Sequence, residues 1–310
     1  MNNSQKHHFL PKAYLSLFTK HNGTVHKVNI HEKSISKNLK EFYPSALCFI
    51  NNYYKINDEL IKSYLKIEDE FFLEKYGFRW YENNWGKLVK KITGPLGIVQ
   101  INDAEMIVDA IFNIKIRNPF FRNSTYGMLN ISAIIDDTFE RLGLNHNQRV
   151  NVLRQKIKDD YTINQEHYSR NIHNLTLLEN LQGKREIRFI VKNILLWGEW
   201  TLCHAPVNYP FVTSDNPGFC VDINENLHNT KFDEFLFFYF PLTPYKALLI
   251  SGQNINLLQT PTKTIKQVIF NHENVEKINI ATAYNASKIV ISHLPDILRK
   301  TWLNYKNFKS

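Results

Sequence analysis

Cysteine is scarce in this chain. Cys48, Cys203 and Cys220 lie far apart in 310 residues and form no CxxC pair, so they build neither a disulfide framework nor a zinc ribbon. An odd, sparse set fits a reducing compartment. Long apolar runs are missing too. No stretch approaches the ~18 residues of a transmembrane helix, and the longest, Phe235 to Leu242, is the length of a strand. The opening MNNSQKHHFLP lacks the apolar core of a secretory signal. The expectation is a cytoplasmic protein with no membrane partner. No Walker A loop, GxGxxG, HExxH, GxSxG elbow or PD-(D/E)xK arrangement occurs, which removes P-loop NTPases, Rossmann dehydrogenases, zincins and α/β-hydrolases from consideration.

What is present is apolar and basic. Hydrophobic residues make up 43%, with 21 Phe and 15 Tyr, enough to bury a sizeable core and to exclude a disordered or collagen-like chain. The net charge of +9 is unevenly spread: residues 1–40 hold seven Lys against the single carboxylate of Glu32, a local +6. A basic protein with a basic segment attracts polyanions, and nucleic acid is the usual one.

Apolar spacing organises the chain. A short helix opens at Pro11, and TVHKVNI (24–30) is a β-branched strand after the Asn22-Gly23 turn. Residues 42–52 form an aromatic loop. Ile61, Tyr64, Leu65, Phe71, Phe72 and Tyr76 recur at helical spacing, which predicts a helix over 58–77. Asn102 and Glu105 stand at capping-box spacing, opening an almost wholly apolar helix that Pro119 ends. Helices are also predicted at 128–142, 148–158, 164–181 and 184–196. Strands follow at 199–204, 209–213, 235–242 and 246–251, then a helix at 275–286, a strand at 288–292 and a closing helix after Pro295. The fold class expected is α+β: a mostly helical middle (58–198), and a mixed sheet in which the N-terminal strand joins the C-terminal strands (199–292). With no repeat and no low-complexity linker, residues 1–310 read as one interlocked domain.

Several short motifs recur in a recognisable order. They are His8-Phe9-Leu10-Pro11 with Tyr14-Leu15 and Phe18, Phe42-Tyr43, Ile67-Glu68, Arg117-Asn118-Pro119, Phe211-Val212-Thr213-Ser214-Asp215-Asn216-Pro217, Phe240 to Pro244 (FPLTP) and Asn279. In this order they resemble the bacterial family named domain of unknown function 4238. The resemblance implies a bacterial or phage-related origin and supplies no reaction.

Four residues are candidates for chemistry. Glu68 lies four after Tyr64, four before Phe72 and three before Phe71, so on a helix it shares the apolar face, where a carboxylate needs a partner. It is either a structural ion-pair member or a functional acid. Arg117, in the last turn of the apolar helix, suits the helix dipole and needs an anion: Glu68, Asp215 or a substrate phosphate. Asp215 sits in a polar turn after a strand, as base, metal ligand or a plain Asx-turn. His8 is a general acid or base near neutral pH, or a packed histidine. Lys184, Arg188 and Lys192 recur every four residues with Arg185 beside them, a stripe for phosphates or a solvated helix face. Arg141 and His146 match the Arg-x4-His spacing of HEPN ribonucleases, a two-residue pattern that arises often by chance.

The leading expectation is a cytoplasmic bacterial effector on nucleic acid, a nuclease in a toxin or phage-defence role. Glu68 and Asp215 would hold Mg²⁺ or Mn²⁺, His8 would exchange protons, and Arg117 would bind a phosphate oxygen. A partner protein or antitoxin is the accompanying expectation. The alternative is a non-catalytic protein- or nucleotide-binding module in which Glu68, Arg117 and Asp215 form a buried polar lock. A transferase on a small phosphorylated substrate would use the same residues.

Overall fold

The apolar run near residue 240 makes the longest strand because its two faces both find a core. Phe238, Phe240 and Leu242 enter one apolar cluster and Phe237 and Tyr239 a second, so alternate side chains are buried on opposite sides. The computed structural model describes residues 5–36, 39–57, 59, 62–63, 66–126, 136, 139–140, 148–181, 186–232, 235–252 and 261–309. Its described strands are β1 (Lys6–His8), β2 (Val25–Asn29), β3 (Glu41–Phe42), β4 (Phe49–Asn51), β5 (Ile98–Gln100), β6 (Glu199–His204), β7 (Thr213–Ser214), β8 (Phe219–Asp222), β9 (Leu227–His228), β10 (Phe235–Thr243), β11 (Lys246–Ser251), β12 (Thr262–Ile269) and β13 (Ile289–Ser292). Its helices are α1 (Lys12–Ser16), α2 (Arg79–Ile92), α3 (Ile101–Ile116), α4 (Pro119–Tyr126), α5 (Gln148–Ile163), α6 (Gln165–Leu181), α7 (Glu186–Trp197), α8 (His272–Asn285) and α9 (Pro295–Lys309).

Helices fill the middle of the chain and strands its two ends, an α+β arrangement with mixed sheets. The large sheet runs β5-β12-β6-β11-β10-β8-β9, antiparallel except where β12 lies parallel to β6. A smaller sheet runs β3-β2-β13-β7, and among the described residues β1 pairs with β4 in a two-stranded sheet. The N-terminal strand does join a C-terminal one: Asn29 faces Ile289 and His26 faces Ser292 across β2 and β13. The first core packs α1, α2 and α3 against the large sheet through Tyr14, Trp85, Ile111, Trp200 and Leu248. The second packs α8 and α9 through Val275, Leu298 and Trp302 against Val28 and Val290 of the small sheet. Among the described residues no helix is long and apolar enough to cross a membrane.

Three expectations fail here, each for a local reason. The helix predicted over 58–77 is not continuous. Lys66 takes a left-handed φ of 55°, Ile56 N–H bonds back to Glu70 O, and residues 67–71 are not helical before Leu73–Gly77 winds up as a π-turn. The amphipathic helix lies further on, as α2, with Trp85, Leu88, Val89 and Ile92 buried at helical spacing. The capping box at Asn102 does not form, because the N-cap of α3 falls two residues earlier, at extended Gln100, with no side-chain cap. The strand expected over 209–213 is only Thr213–Ser214. The predicted helix at 128–142 and the Arg141/His146 pair fall outside the described residues, apart from 136 and 139–140.

Candidate functional site

The C-terminal end of α3 and the two residues after it carry three polar side chains, of which Lys115 and Asn118 meet the turn at residues 215–218. Lys115 is fully buried. Its ammonium, with three N–H donors, lies within hydrogen-bonding distance of four oxygens: Asn216 Oδ1 (3.0 Å), Pro217 O (3.1 Å), Gly218 O (2.7 Å) and Asn229 Oδ1 (2.5 Å). Burial pulls its pKa down to about 7, while four oxygens around Nζ favour keeping the proton. Asn118 donates from Nδ2 to Asp215 O at 2.5 Å. Arg117 points the other way, from Nη2 to Glu82 Oε1 (3.0 Å) and to the backbone oxygen of His8, with its guanidinium 4.1 Å from the Phe78 ring centroid.

The turn that receives these groups is equally occupied. Asp215 is 6% exposed. Its Oδ1 accepts the Ser287 N–H (2.9 Å), and its Oδ2 accepts those of Lys288 (2.9 Å) and Ile289 (3.2 Å). Burial nevertheless raises its pKa to about 6, since three amides only partly replace lost hydration. Asn216 and Asn285 exchange bonds: each side-chain amide donates to the other's backbone oxygen at 2.8 Å. Gly218 ends the turn at φ 78°, where a Cβ would stand 2.9 Å from Tyr239 O. The N-terminal segment closes the network, with Tyr14 Oη 2.6 Å from Thr213 Oγ1 and donating to Pro241 O at 3.0 Å. Asn279 accepts the Val212 N–H and donates to Pro210 O. The motif residues therefore satisfy one another.

Of the four candidate residues, only His8 and Arg117 touch among the described contacts; Asp215 meets Asn118, the neighbour of Arg117, and Glu68 meets none of them. His8 reaches Arg117 by its carbonyl. Its ring is buried, sits 3.2 Å from Ser45 O and is held below the usual histidine pKa by desolvation. Arg117 connects through the adjacent Asn118 to Asp215. Glu68 lies exposed on a non-helical segment, so the expected burial on an apolar helix face does not occur. The carboxylates facing Arg117 are instead Glu82 on α2 and Glu74, whose carboxyl burial pushes up and whose Oε2 is buried without a partner. The cavity touching Arg117, Pro11, Trp85 and Asn113 is about 10 Å³, at most the room of one water.

These residues do not fit a divalent metal. Asp215 is buried with both oxygens accepting backbone amides, and Glu68 is exposed on another segment. Among the described residues no three His, Cys, Asp or Glu side chains gather as a metal site. In the proposed phosphate stripe, Lys184 and Arg185 lie outside the described residues, as does the side chain of Arg188. Lys192 turns inward, 3.2 Å from Asp109 and 3.8 Å from Glu105 on α3. Lys115, Glu74 and Glu82 were missed. The available signals were a lone lysine in the most apolar helix and the Trp85, Leu88, Val89, Ile92 stripe that places Glu82.

The model of a family described as proteins of unknown function (DUF4238) matches residues 6–296, nearly the whole chain, and the protein belongs to that family. No curated protein and no solved structure matches it.

Proposed function

We propose that this member of the DUF4238 family is a binding module for a nucleotide or nucleic acid, and that its buried polar network is a structural lock with no catalytic step. The carrying observation is the state of Asp215. A general base or metal ligand needs an accessible acceptor site for substrate or metal, and this buried carboxylate gives three of its roughly four acceptor sites to the amides of residues 287–289. Nη2 of Arg117 is taken by Glu82 and the His8 carbonyl, and the cavity beside the guanidinium is too small for a phosphate. The basic N-terminal segment supports the choice of a phosphate-bearing ligand.

The test incubates the purified chain with single-stranded and duplex RNA and DNA, with and without Mg²⁺ or Mn²⁺, and follows complex formation and strand length together. The expected result is salt-sensitive binding with intact strands. Cleavage by wild type, abolished in a folded Asp215→Ala variant, would restore the metal-assisted nuclease.

A further inference from the structure

A cleft of about 410 Å³ opens on the small sheet, outside the buried network. Strand alternation makes it. Val28 and Ile30 turn into the second core, so Lys27 and Asn29 occupy the opposite face of β2. The register sets Asn29 against Ile289 and Val25 against Phe42, which puts Phe42 and Ile289 on the Lys27 side. Lys40 enters from the residue before β3, and Lys288 from the residue before β13.

Three lysines thus line one concavity whose single acid among the described residues is Glu32. Among the described residues none of the three makes an ion pair. Lys20, from the same basic segment, is neutralised by Glu41 at 2.8 Å. Lys27 lies 4.4 Å from the Phe42 ring centroid, so its charge sits over an apolar wall and not in bulk water. Unpaired cations around apolar side chains match a ligand that is flat and apolar at one end and anionic at the other. Glu32 repels a bare polyanion, yet its oxygens suit a ribose hydroxyl or an exocyclic amine.

The floor of the cleft is fixed by the most characteristic motif of the sequence. Asp215 takes the N–H groups of Ser287, Lys288 and Ile289, the Lys288 carbonyl accepts the Ile30 N–H at 2.9 Å, and the His31 ring meets Ser287 O at 2.9 Å. The backbone that carries Lys288 is therefore clamped from both sides. Asp215 acts here as a positioning residue.

We propose that this cleft binds one nucleotide unit, free or within a strand, with its phosphates on Lys27, Lys40 and Lys288 and its base against Leu39, Phe42 and Ile289. The proposal rests on the binding reading above and assigns its place. The volume is within the range of small-ligand sites, roughly 300–1,000 Å³.

The test is calorimetric titration of the full chain with ATP, with inorganic triphosphate, and with single-stranded RNA and DNA of about ten nucleotides. It is run on wild type, Lys27→Gln/Lys288→Gln, and Lys266→Gln as an exposed control outside the cleft. The double variant is expected to keep the wild-type thermal midpoint and to bind ATP or oligonucleotide about tenfold or more weakly, with Lys266→Gln unchanged. For the oligonucleotide, its salt dependence should fall by roughly 0.7 per lost phosphate contact. Tighter binding of the oligonucleotide than of ATP identifies a strand as the ligand, and the reverse a free nucleotide. Undiminished binding by the double variant overturns the assigned place and leaves the binding reading standing. Inorganic triphosphate binding as tightly as ATP overturns the nucleotide assignment. Wild type that binds none of the probes overturns both.

Discussion

Oδ2 of Asp215 accepts the backbone N–H of Lys288 at 2.9 Å across 73 residues of chain, tying the polar turn after β7 to the start of β13. Asp215→Asn should therefore lower stability although it preserves shape. An amide has one acceptor oxygen, so its nitrogen faces an N–H that the carboxylate used to satisfy. A loss of about 2 kcal/mol or more is expected in urea unfolding, since an unsatisfied buried donor costs ~1–3 kcal/mol. An unchanged midpoint at unchanged m would contradict the clamp.

Lys115 and Arg117 give a matched pair of substitutions. Lys115→Met removes the donor from four oxygens at once and is expected to cost about 3 kcal/mol or more, read by denaturant unfolding. Lowering of the Lys115 pKa to about 7 also makes wild-type stability climb from pH 7 towards 8.5, because the unfolded chain holds that proton while the folded one releases it. In Lys115→Met that climb should disappear.

Arg117→Met leaves Glu82 and Glu74 facing each other without a cation and should cost roughly 3–5 kcal/mol. Adding Glu82→Gln should recover part of it. A double-mutant cycle measures the coupling, and strict additivity would show that the 3.0 Å pair does not act as a unit.

Acid stability separates two opposed groups. His173 on α6 is fully buried, bonds Ile116 O at 2.7 Å, and is held by desolvation at a pKa of about 4. The unfolded chain protonates it first, so its contribution, up to about 3 kcal/mol, is lost as pH falls from 6.5 to 4. Asp215 runs the other way. Its carboxyl, raised to about 6, takes up a proton in the folded state first, so acidification from 6 to 4 favours folding through this group. Unfolding free energies at pH 7, 6, 5 and 4 should fall more steeply for Asp215→Asn than for wild type, and less steeply for His173→Gln. Parallel curves for all three would refute both assignments.

The sequence made part of this fold legible and concealed another part for physical reasons. Strands Glu199–His204 and Lys246–Ser251 have the expected bounds because both are apolar runs with sharp polar ends. β12 escaped notice because only Ile265 of its eight residues is buried, leaving no alternation to detect. The helix placed over 58–77 borrowed aromatic residues that pack from a turned segment, while the true stripe at Trp85, Leu88, Val89 and Ile92 was passed over. That displacement hid Glu82, and with it the partner of Arg117. Tyr14, Arg117 and Asp215 were legible as motif members. Their dependence on one another was not, since contacts such as Tyr14–Thr213 join residues 199 apart. Lys115 went unread because a single cation in an apolar helix gives no periodic signal.

Asp215 holds residues 287–289 by their amides, and native-state hydrogen exchange of those three groups reads that hold at each one. Ser287, Lys288 and Ile289 should exchange slowly in wild type, near the rate of global unfolding, and at least one of them should exchange far faster in Asp215→Asn. Wild-type amides exchanging at the rate of an exposed loop would contradict it, and would return the Asp215 carboxylate to the list of groups free for chemistry.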